Sequence, residues 1–249
     1  MSERATTIFS GALGVFLFLL IWELIGQYQL VGITWPPFTV VMEYLFDPSR
    51  RLLFQRALSA TLSSMFLGYA IGAFVGLGLG VITHLFPLLR AGGDRLAAVV
   101  NSIPAIALAP LFVVLLSRGA APPALAATGS FFVFYVAGTS GLGSALQSQV
   151  DLARVQGAGR WRRFTNIDLP MAFPTIITGM KLAMPVALIG TILGEWFGAP
   201  RGIGILIVNA MQNFQIPLLW SCVVLAATIS LSLFALLTIV ERAAFRRYR

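Results

Sequence analysis

Six stretches of this chain are apolar for long enough to cross a lipid bilayer, and few folds can accept them. About 20 residues of helix are needed to span roughly 30 Å of hydrocarbon, and the stretches fall at 8–25, 58–84, 96–116, 121–142, 173–196 and 218–240. In lipid every backbone polar group must find its partner within the protein, which leaves helices for segments of this kind. With 58% of residues hydrophobic and only 10% charged, the 249-residue chain has too few charges to cover a water-facing surface, for which about 25% is usual. The expected fold class is an all-α integral membrane protein of six transmembrane helices. The fourth stretch is the weakest, because it opens with Pro122-Pro123.

Several kinds of chemistry are excluded at once. A single Cys222 allows no disulfide framework and no thiolate metal cluster within the chain, and the lone His84 cannot build a multi-histidine metal site. A Ser-His-Asp arrangement would depend on that one histidine, which has no nucleophile pattern beside it. The net charge of +8 points to topology and anionic lipid rather than to nucleic acid, since no basic stripe interleaved with aromatics is present.

Arginine placement predicts the orientation. With both ends on the cytoplasmic side, the inside segments hold Arg4, Arg90, Arg95, Arg154, Arg160, Arg162, Arg163, Arg242, Arg246, Arg247 and Arg249, and the outside segments hold Arg50, Arg51, Arg56, Arg118 and Arg201. Positive residues concentrate inside, so both termini are expected in the cytoplasm. The first stretch is expected to be a retained helix, because Trp22-Glu23 and Tyr28 stand where a small-x-small cleavage site would be. The long first outer loop has apolar triplets at 40–42, 44–46 and 52–54, as in helices lying along the interface.

Within the spans, Gly68, Gly72 and Gly76 lie on one helical face. They permit close helix approach, either inside the subunit or toward a second copy. Pro104 and Pro110 interrupt the third stretch, which suits either a pathway lining or a kinked packing helix. Lys181 lies about 15 Å into the fifth helix at 1.5 Å per residue. It is either a structural ion pair or snorkelling cation, with Glu23 and Glu195 as candidate partners, or an anion-attracting group in a pathway. Glu195 is a further candidate pathway residue.

The connection between the fourth and fifth stretches carries most information. From Asp151 to Pro170 it reads as a short amphipathic helix: Leu152, Val155, Trp161 and Phe164 are its apolar positions, and Arg154, Arg160, Arg162 and Arg163 its charges. Gly157 and Gly159 break it or admit another surface against its backbone. Pro170 is expected to stop the helix before it, and Pro174 falls in the first turn of the next, where proline is tolerated. Such a segment could bind lipid or a protein.

The spacing of Asp151-Leu152-Ala153, Gly157 and then Ile167-x-Leu169-Pro170 resembles the cytoplasmic Glu-Ala-Ala signature of binding-protein-dependent ABC importer permeases. Asp stands for the Glu and Leu for the first Ala. The likeness extends over nearly all of the chain after about residue 58. Thr61, Gly68, Ile103-Pro104, Ala107, Pro110-Leu111, Gly179-Met180-Lys181, Glu195 and the run from Gly202 to Ile207 are similar to the nitrate, sulfonate and taurine branch.

The resemblance implies a type I importer permease fold with a cytoplasmic coupling helix. It implies a first helix and outer amphipathic loop at 1–57, a permease core at 58–240 with its coupling loop at 143–172, and a basic cytoplasmic tail at 241–249. Docking on an ATPase is implied for Asp151, Leu152, Ala153, Val155, Gly157, Ala158, Trp161, Phe164, Ile167, Leu169 and Pro170, with Arg162 and Arg163 as rim contacts or lipid-facing charges. The partners implied are a second permease copy, two ATPase subunits, an extracytoplasmic substrate-binding protein and the bilayer of the bacterial inner membrane. The chain has no Gly-x4-Gly-Lys-Ser/Thr phosphate loop, so ATP and Mg are expected on the partner and no catalytic residue or cofactor here. The rivals, a secondary transporter or a channel, have no use for this signature.

Overall fold

The computed structural model describes residues 3–247. Arg249 lies outside the described residues, as do the side chains of Arg4, Arg246 and Arg247. Eleven helices are described, with no strand among the described residues: α1 (Glu3–Gln27), α2 (Phe38–Phe46), α3 (Arg51–Leu85), α4 (Arg90–Ser102), α5 (Ala105–Leu115), α6 (Ala121–Leu142), α7 (Gln147–Val155), α8 (Arg160–Arg163), α9 (Leu169–Trp196), α10 (Ile203–Gln212) and α11 (Ile216–Arg247).

Five segments are long and apolar enough to cross a membrane, and a sixth crossing exists only if the bent pair of α4 and α5 is counted as one. The expected third helix at 96–116 is therefore not one rod. It breaks at Ile103-Pro104, where α4 and α5 meet at 92°. Pro104 has no N–H to donate and biases the residue before it toward extended backbone; Ile103 sits at φ −77°, ψ 122°. Pro110, by contrast, is carried inside α5.

Three helices form the packed centre. The glycine stripe settles its own use: Cβ atoms at Gly68, Gly72 and Gly76 would collide with Pro123, Ala126, Ser130, Phe131 and Phe134 of α6. On the other flank, a Cβ at Gly190 would meet Leu125 O at 2.8 Å, and one at Gly194 would meet Pro122 Cα at 2.5 Å. Helix α6 thus lies between α3 and α9 at nearly backbone contact, as small residues allow in membrane bundles. This explains its weak hydropathy, since the helix touching lipid least needs apolar bulk least.

The peripheral helices are pinned by polar contacts. Glu23 of α1 accepts from Thr39 N at 3.0 Å and Thr39 Oγ1 at 2.8 Å, closing the first turn of α2. Trp22, Trp35, Phe38 and Trp220 stack edge-on where α1, α2 and α11 meet, with Trp220 Nε1 donating to Thr34 O at 2.9 Å. Beyond α2, Asp47 accepts from the hydroxyl and N–H of Ser49, which hold its carboxyl below the ordinary range. Helix α3 starts at Arg51 and takes in the third apolar triplet of the expected loop, while α11 continues to Arg247 through most of the expected tail.

Candidate functional site: the α7–α8 segment

The signature segment stands at one end of the bundle as α7, a reversal, α8 and a five-residue π turn leading into α9. Its reversal is a Schellman motif. The Ala158 N–H reaches Ala153 O at 2.9 Å and the Gly157 N–H reaches Arg154 O at 3.0 Å, with Gly157 at φ +72°. Those two bonds satisfy the last carbonyls of α7 and require a left-handed residue between them, the position glycine fills at least cost. A Cβ at Gly157 would meet nothing within 4 Å. The glycine is needed here for its dihedral angle, and its outer face is open.

The apolar positions divide into two sets. Ala153 and Phe164 are buried, Phe164 among Leu142, Ala172, Val81, Leu85 and Ile176. Leu152, Val155 and Trp161 are 59%, 86% and 66% exposed, although each bears an apolar or aromatic side chain. Asp151 is exposed and pairs only within α7, with Gln147 Nε2 at 3.0 Å and Arg154 Nη1 at 3.3 Å, contacts of small energetic weight. A cavity of about 240 Å3 opens between α7 and the start of α9, lined among others by Leu152, Ala153, Gln156, Ile167 and Pro170. Ala158 is half-buried, and Leu169 and Pro170 face outward.

Pro170 does not stop the helix before it, contrary to the sequence expectation. Helical backbone runs from Arg160 to Trp196. The π turn Phe164–Asp168 widens the helix just where the proline ring would press on a preceding carbonyl, and Leu169 N bonds back to Phe164 O. The turn also sets Phe164 and Asp168 on buried ground. Asp168, which composition did not single out, is 1% exposed. Its Oδ2 accepts from His84 Nε2 at 2.8 Å and from Arg163 Nε at 3.0 Å. Arg163 is therefore turned inward onto this carboxylate and is not a rim charge, while Arg162 is exposed.

The remaining candidates lie elsewhere. Lys181 Nζ donates to Glu241 Oε2 at 2.6 Å, with Thr178 Oγ1 on the other oxygen of Glu241 at 2.7 Å. Its partner is neither Glu23 of α1 nor Glu195, farther along α9, each of which has partners of its own. Glu195 is buried. It is 1% exposed and accepts from Thr61 Oγ1 at 2.8 Å and Gly204 N at 2.7 Å, while Thr61 Oγ1 takes Ile203 N at 2.8 Å. That carboxylate holds the first turn of α10, where free N–H groups favour a negative partner. Gly202, at φ +143°, lets the chain pass beside it. Pro104 and Pro110 are exposed on this single chain. No group of three or more metal-ligating side chains occurs among the described residues.

The family described as binding-protein-dependent transport system inner membrane component matches residues 68–249, a stretch that contains the whole segment. The chain belongs to that family. It is 30% identical over 204 residues to the formylaminopyrimidine transport permease protein ThiX of Halalkalibacterium halodurans, covering 80% of each chain. It is 26% identical over 215 residues to the taurine transport system permease protein TauC of Escherichia coli K12, covering 84% of this chain and 78% of that one. A chain of the MetNI methionine ABC transporter in an inward-facing conformation superposes with a TM-score of 0.70 at 17% identity, over 80% of this chain and 99% of that one. That likeness bears on the fold, which is the type I importer permease fold. The protein is thus a multi-pass inner-membrane permease subunit of an ABC importer of the binding-protein-dependent kind.

Proposed function

We propose that this permease works as a pair of identical subunits, each docking one ATPase on its α7–α8 segment, and imports a small solute by alternating access. The observation carrying this reading is the uncovered apolar tip. Leu152, Val155 and Trp161 stay exposed around an αL glycine at the family spacing, and apolar and aromatic anchors of this kind contribute about 2 kcal/mol or more each at interfaces. Without a phosphate loop in this chain, ATP and Mg belong to the partner. The arginine bias puts the segment and both termini in the cytoplasm, so a binding protein delivers substrate at the opposite face.

ThiX and TauC support a small polar or anionic solute of the formylaminopyrimidine or sulfonate kind. Helix α5, with Pro104, Pro110, Ile106, Leu111 and Val114 exposed, is the surface we assign to the pathway and the second copy. Lys181 and Glu195, each held by its own partners, act as structural supports instead.

Co-purification tests the reading. The tagged permease is expected to retain the ATPase subunit of its importer, and a variant with Leu152, Val155 and Trp161 all changed to Ser is expected to lose it while remaining folded in the membrane. Retention of the ATPase by that triple variant refutes the docking site.

A further inference from the structure

We infer that Asp168 is a positioning residue: with His84 and Arg163 it braces the π turn, so that movement of α7–α8 is delivered to the bundle instead of being absorbed at that turn. The inference rests on the docking role proposed above and goes beyond it, since none of the three residues belongs to the docking tip.

The turn is the weak point of the transmission path. Between α8 and α9 the helix passes through five residues of π geometry, followed after Leu169 by Pro170, which has no N–H to donate. Regular i→i−4 bonding is interrupted there, and helices bend most readily at such places. A segment pushed from below would flex at this turn unless something outside α9 held it.

Asp168 supplies that hold. Its carboxylate, with a side chain only 2% exposed, takes two donors on one oxygen. Arg163 comes from the end of α8, before the turn, and His84 comes from the last turn of α3. The three elements that meet at the turn are thereby joined through a single atom. Phe164, at the other end of the turn, fills the space between Leu142 of α6 and Leu85 of α3.

The apolar contact permits sliding. A buried charged joint does not, because any displacement leaves a carboxylate or guanidinium without its partner. Helix α3 is in turn packed on α6 through its glycines. A push received at His84 therefore moves α3 and α6 together, since close-packed interiors transmit strain.

A buried ionic joint is weak grounds for a purely stabilising role, since apolar residues of the same volume often serve as well. The test therefore measures coupling. The permease with the ATPase and binding protein of its importer is reconstituted in proteoliposomes, and ATP hydrolysis is measured with and without the binding protein on the opposite side. In wild type the binding protein is expected to stimulate hydrolysis. Asp168→Asn and His84→Gln, which keep size and polarity, are expected to assemble and yet lose about tenfold of that stimulation.

Unchanged stimulation in both single variants overturns the inference. So does a parallel fall of assembly and hydrolysis at constant stimulation, the behaviour of a contact that only stabilises. A wild-type complex that shows no ATPase binding overturns the docking role itself and the joint with it. A responsive wild type with unaffected variants overturns the joint alone.

Discussion

Replacing Gly157 separates a conformational role from a steric one. The residue sits at φ +72° between the two N–H donors that close α7, and a Cβ there would touch nothing in this chain. Size alone therefore costs nothing in the free subunit, and the penalty lies in the backbone. A left-handed residue bearing a Cβ costs roughly 1–2 kcal/mol, Asn less than Ala, and a β-branched residue more. If docking requires the Schellman reversal while the undocked segment can relax out of it, that cost appears in the affinity for the ATPase. At 1.4 kcal/mol per factor of ten, Gly157→Ala should weaken binding about five- to thirtyfold, Gly157→Asn less, and Gly157→Val more. Titrating purified ATPase against the detergent-solubilised permease measures the series, and circular dichroism confirms that helix content is retained. Wild-type affinity for Gly157→Val, or equal losses for Asn and Val, refutes the reasoning.

Two further outcomes follow from buried polar groups. Glu195→Gln or Thr61→Val should each destabilise the α9–α10 corner by about 1–3 kcal/mol, because Gly204 N or Ile203 N loses its acceptor or is paired less well; proteolysis between 197 and 203 should speed up, and an unchanged cleavage rate refutes the staple. Lys181→Met should leave the partly buried Glu241 carboxylate without its cation, costing about 1–3 kcal/mol, and Lys181→Met with Glu241→Gln should recover much of it. Thermal unfolding of the purified permease measures both, and a single variant as stable as wild type refutes the pairing.

Much of the shape of the α7–α8 segment was legible in the sequence because its information is local. The positions from Asp151 to Pro170 lie close along the chain, and a left-handed glycine that ends a helix is a short-range requirement. Of the two sequence readings of Gly157, a break in the helix or room for another surface, the structure shows the break, with open space outside it. The π turn escaped notice because Pro170 reads locally as a stop signal. Only the packing of Phe164 and the bonds of Asp168 make a widened turn preferable to a break.

By itself the sequence determined the solvent, the number of apolar segments and the coupling signature, all of which depend on composition and short spacing. Tertiary structure alone decided the partners of the buried charges. Glu195 meets Thr61 across 134 residues, Lys181 meets Glu241 across 60, and Asp168 meets His84 across 84. It also decided that the glycine stripe of α3 is spent on α6, and that the third span is bent at Pro104. The reason is physical: a charge in a bilayer needs a partner, but which one it finds depends on how the helices lie side by side.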